Sequence, residues 1–154
     1  MRTITTPQAA HILGMSFRTL DNWVRIGLVT CSQVAGGRGT RRAWTVDDVT
    51  RVAYLQVLHK NGISTQRLNA MAKSGTLGFV LDNQLEKEKV YGDKYVSNEF
   101  ILVVGHKALV TTIWPKRQII EKAFDTFEAG LLPEPLMYDD APLGKVWVGS
   151  PEPT

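Results

Sequence analysis

Few side chains in this 154-residue chain could carry out covalent or metal chemistry. His11, His59, His106 and Cys31 are the residues that zinc, nucleophilic or general-base chemistry would draw on, and none stands at a ligand or triad spacing. His11 reads as a residue that packs or hydrogen-bonds locally. The acid pair Asp139-Asp140 lies in a proline-rich tail and reads as exposed. No enzyme, cofactor or metal is expected from these positions. Gly36 to Arg42 poses a different question, since three glycines, three arginines and Thr40 fall within seven positions. Such a loop could cradle a phosphate-bearing ligand or lie against a nucleic-acid backbone. The phosphate-loop patterns fail: Arg42 stands where GxGxxG needs its third glycine, and no lysine-hydroxyl pair follows. Arginines on a glycine-rich tip suit backbone phosphates or a minor groove, and glycine lets the backbone approach closely.

The elements that would hold this loop can be read on either side of it. Thr6-Pro7 looks like a helix start, with Thr6 as N-cap and proline in the first turn, and that helix ends at Gly14. Ser16 then caps a second helix, FRTLDNWVRI, stopping at Gly27. On it Phe17, Leu20 and Val24 are expected to face the core, with Arg18, Thr19, Asn22 and Arg25 largely on the other side. Helix, tight glycine turn, helix is helix-turn-helix grammar. The β-branched run LVTCSQV and the segment RRAW read as a hairpin whose tip is the glycine-arginine loop. Thr45 caps a third helix with Asp47 and Asp48 in its first turn. Its apolar stripe, Val46, Val49, Ala53 and Val57, is widened by Val52, Leu55 and Leu58. Ser64 caps a fourth helix, with Ile63 and Leu68 placed as a hydrophobic staple.

Charge divides the chain. Residues 1–75 hold ten Lys/Arg against three acids, a net +7, whereas residues 76–154 hold eight against twelve, a net −4. A cationic front joined to an anionic rear suggests a polyanion-binding module attached to something that does not bind polyanions. The composition, 44% hydrophobic and 21% charged, is that of a globular chain, and no apolar run approaches the roughly 20 residues that span a bilayer. A single cysteine allows no internal disulfide, and MRTITTPQAAHIL lacks the layout of a secretory signal. A cytoplasmic protein with no membrane contact is expected.

Residues 3–73 resemble the winged-helix DNA-binding domain of the MerR family of bacterial transcription regulators and its phage excisionase-type relatives. The likeness is carried by ITTPQAAHILGMSFRTLDNWVRIGLV, by the glycine-arginine segment ending RRAWTVDDV, and by YLQVLHKNGIST. The resemblance implies major-groove reading from Arg18, Thr19 and Asn22, and phosphate contacts from Arg41 and Arg42, with Arg38 and Thr40 in the same wing. Many members carry Arg-Tyr-Tyr where this chain has Asp21-Asn22-Trp23, a departure that removes one cation and one phosphate-reaching hydroxyl. Trp23 either stacks on a sugar-phosphate edge or packs into the core. Arg25 either reaches phosphate or pairs with Asp21.

The family's long coiled-coil helix is not evident after Lys73, since no heptads follow. TLGFVLD looks like a strand, and LEKEKVYGDK like a solvated helical turn or loop. KYVSNEFILVVGHKALVTTIW reads as two strands turning at Gly105-His106-Lys107, with FILVV buried on both sides. Pro115 would open a helix whose Ile119, Ile120, Ala123, Phe124 and Phe127 form a wide apolar face, stopped by Gly130. Five of the seven prolines fall in residues 131–154, which would form either an arm reaching a partner subunit or a tail folded on its own domain; GKVWVG could add an edge strand.

The expected architecture is α+β. A winged helix-turn-helix domain spans 1–75, a small α+β module for dimerisation or partner contact (hairpin plus amphipathic helix) spans 76–130, and a proline-rich arm or tail spans 131–154. The expected function is a double-stranded-DNA-binding transcription regulator, a repressor of prokaryotic or phage type, acting as a homodimer. An excisionase-like architectural protein, and an adaptor or antitoxin working through the acidic rear, are the alternatives.

Overall fold

The computed structural model describes residues 2–31, 33–35, 41–91, 98–104, 107–113, 116–136 and 146–149. Helix α1 covers Thr6–Leu13, α2 Phe17–Arg25, α3 Val46–Lys60, α4 Thr65–Lys73, α5 Thr76–Tyr91 and α6 Arg117–Glu128. Strands β1 (Gln33–Ala35) and β2 (Arg41–Ala43) form an antiparallel pair, Val34 opposite Arg42. Strands β3 (Asn98–Val104), β4 (Lys107–Ile113) and β5 (Val146–Gly149) form an antiparallel sheet with β4 in the middle. The expected hairpin and its added edge strand are both present, and the turn between β3 and β4 lies outside the described residues. No described helix is long and apolar enough to cross a membrane.

Side-chain caps set most of the helix starts. The Ser16, Thr45 and Ser64 hydroxyls each accept the backbone N–H three residues on, as expected. The start of α1 is corrected by one residue. Thr5, not Thr6, is the N-cap, because Gln8 three positions later completes a reciprocal capping box with it. Asp48 does the same for Thr45.

The α1–α2 turn is closed group by group. The last four carbonyls of an α-helix have no partner within it. Here Ala10 O accepts from Met15 N–H and His11 O from Gly14 N–H, both at 3.1 Å, with Gly14 in the left-handed region at φ 64°. Ile12 O accepts from Leu136 N–H at 2.8 Å, and Leu13 O from the Gln56 side-chain amide at 3.0 Å. Two of the four donors are therefore supplied from far along the chain, by α3 and by the segment after α6.

The core is centred on α3. Val49, Val52, Ala53, Tyr54, Leu55 and Leu58 are buried there with Ile12, Leu13, Leu20 and Trp44. Segment 76–91 corrects the expectation of a strand and a solvated loop. It is helix α5, because Leu77, Leu81 and Leu85 recur every four residues and are buried as one stripe. On α6, Ile120, Ala123 and Phe124 enter the same core while Ile119 is exposed, a narrower face than the sequence suggested. Residue 75 falls in the α4–α5 turn, and the buried cluster runs across it into both later helices.

Ionic contacts join these helices. Asp47 on α3 receives Lys89 of α5 at 2.8 Å and Arg117 of α6 at 3.1 Å. Its burial alone would push its pKa up, but the hydrogen bonds and charges of Lys89 and Arg117 outweigh this and hold it below the usual carboxylate range. Glu88 of α5, 5% exposed, accepts the backbone N–H groups of Lys116 and Arg117 and so caps α6. Burial pushes its pKa up against those hydrogen bonds. The expected proline start of α6 lies outside the described residues.

Candidate nucleic-acid interface

Helix α2 is held to the core through Leu20 and Trp23, with Val24 half-buried beside them, and presents its polar face outward. Arg18, Thr19, Asn22 and Arg25 are exposed along it. Among the described residues Arg18 and Asn22 have no side-chain hydrogen-bond or ion-pair partner, whereas the Thr19 hydroxyl lies 2.8 Å from that of Ser16.

Trp23 is 4% exposed and meets His59 edge-on at 5.8 Å between ring centroids. The stacking role expected as one alternative for it is corrected to core packing. Phe17 is corrected in the opposite sense. Placed by sequence in the core, it is 51% exposed, because the indole of Trp23 occupies the inner row beside Leu20. Val24 is half-buried against the core as expected.

Asp21 organises the cations. It receives Arg25 one turn along α2 at 2.9 Å, and Arg42 of β2 at 2.5 Å. The hydrogen bond from Arg42, followed by the charges of Arg25 and Arg42, outweighs desolvation and keeps the carboxylate below its ordinary pKa range. Arg25 thus takes its intrahelical alternative, and Arg42 ties the β1–β2 pair to α2. Arg41 is in β2, opposite Ala35; Arg38 and Thr40 lie outside the described residues. The tie could have been suspected from an acid at position 21 in an otherwise cationic neighbourhood, but no local spacing links it to Arg42.

Two described histidines are used structurally. His11 Nε2 lies 2.6 Å from Pro133 O, and His59 Nδ1 lies 3.1 Å from Ile63 O. Burial pushes the Cys31 thiol up in pKa, away from the reactive thiolate.

Two helices across a glycine turn, locked on a third helix and followed by a two-stranded antiparallel pair, define a helix-turn-helix domain. Residues 4–74 match the family described as "MerR HTH family regulatory protein". The match covers the helix-turn-helix front, a little under half of the chain. A similar solved structure is that of HiNmlR, "a MerR family regulator lacking the sensor domain, bound to promoter DNA". It is 26% identical, with 58% of this chain and 75% of that chain covered and a TM-score of 0.42. No curated protein matches the chain.

Proposed function

We propose that the protein is a sequence-specific double-stranded-DNA-binding transcription regulator. In this reading α2 enters the major groove with Arg18, Thr19 and Asn22 toward base edges, while the wing at 36–42 lies on the flanking backbone. The observation that carries it is the open polar face of α2 in a MerR-type domain whose half of the chain has a net charge of +7. Phe79, Val90 and Tyr91, exposed on α5, with Leu131 and Leu132 beyond α6, support self-association through the rear. A homodimer would read two half-sites.

Selection of bound sequences from random duplex DNA with the full chain tests the reading, and recovery of no preferred sequence would sink it. Replacing both Arg41 and Arg42 with alanine should lower the slope of log affinity against log salt by about 1, the share of Arg41, since Asp21 holds Arg42, whatever the DNA sequence. An unaltered slope would remove the wing from the mechanism.

A further inference from the structure

Phe17, at the edge of the apolar arc of α2, is the large apolar side chain of that helix that stays exposed. It is the first residue of α2, directly after the capping Ser16 and directly before Arg18. Half its surface is exposed, and it does not join the apolar side chains packed on the core. Asp21, one turn further along the same row, reaches Arg42 of β2, so the ring stands at the leading end of α2 on the flank facing the strands. Position is what distinguishes it from a stray surface hydrophobe: the N-terminal residues of a recognition helix are those that meet base edges. On a duplex, phosphates and most groove-edge atoms are polar. The apolar group offered in the major groove is the 5-methyl of thymine.

We infer that Phe17 is a specificity-determining residue whose ring packs on the 5-methyl group of one thymine in each half-site. Arg18, its neighbour, is left to the hydrogen-bonding edge of an adjacent base pair. The inference rests on the DNA-binding reading above and extends it to a particular base.

The test starts from the duplex recovered by selection with the full chain. Each thymine is replaced in turn by deoxyuridine, which differs solely in lacking the 5-methyl. Affinities are measured at fixed salt for the native protein and for Phe17→Ala; the exposed site and alanine's helix propensity make that variant foldable, and circular dichroism checks it. At one thymine per half-site, uridine should weaken the native protein about 3–10-fold, the worth of roughly one methyl group removed from contact. Phe17→Ala should bind the two duplexes equally. Selective binding that ignores every uridine, or a uridine penalty that persists in Phe17→Ala, would overturn the Phe17 assignment and leave DNA binding standing. Absence of duplex binding altogether would overturn both.

Discussion

Asp21 governs how many arginines around α2 are available to a polyanion. Its carboxylate engages Arg25 and Arg42 together. Asp21→Asn should therefore release two guanidinium groups, strengthen binding to non-specific duplex several-fold and steepen the salt dependence by up to about 2 in slope. Fluorescence titrations across a salt series check this, and an unchanged slope would show that the two arginines are already committed to phosphate. Arg18, which has no such partner among the described residues, behaves differently. Arg18→Ala should cost about 1–3 kcal/mol of discrimination at one or two base pairs. Repeated sequence selection reads that loss; uniform weakening across all sequences would make Arg18 a phosphate contact.

Among the elements, α5 and α6 are bound to α3 by both apolar and ionic contacts. Phe124 is buried in the core that α3 organises, so Phe124→Ala should lower unfolding free energy by about 3–5 kcal/mol in a single cooperative transition. A separate early transition, with the rest of the fold unaffected, would mean that α6 is an independent unit. Asp47 has a depressed pKa in the folded state. Its contribution is thus present above the ordinary aspartate range and lost as pH falls through the folded value. At neutral pH Asp47→Asn should cost about 1 kcal/mol, allowing for its partial exposure. The gap between native and variant melting temperatures should close on acidification toward pH 3. Glu88 runs the other way: with a raised pKa, its contribution is present below the ordinary glutamate value and fades as pH rises through the folded one. Glu88→Gln, which retains an acceptor for the α6 amides, should flatten that part of the profile.

For the whole molecule, what could be read in advance was what is local in the chain. Ser16, Thr45 and Ser64 announce their helices because a hydroxyl and the amide three residues on are close in any chain that turns there. The four exposed polar residues of α2 follow from period alone. Trp23 and Phe17 could not be ranked by period, since both lie near the edge of the apolar arc and volume decides which one the core accepts. Segment 76–82 misled because TLGFVLD has strand-like composition, and only the wider spacing of Leu77, Leu81 and Leu85 reveals the helix. The Asp21–Arg42, Asp47–Arg117 and Glu88–Lys116 contacts bring together residues between 21 and 70 positions apart, and no local pattern encodes them.

The hydrogen bond from Leu136 to the carbonyl of Ile12 bears on the order of synthesis. A ribosome delivers α1 and α2 before Gln56 and long before the segment after α6 that carries Leu136, so the nascent front must wait with the Leu13 and then the Ile12 carbonyl served by water. Final closure of the turn that aims α2 is therefore a late step, taken only after more than a hundred further residues have been added. A chain interrupted in that interval would hold α2 on a looser hinge.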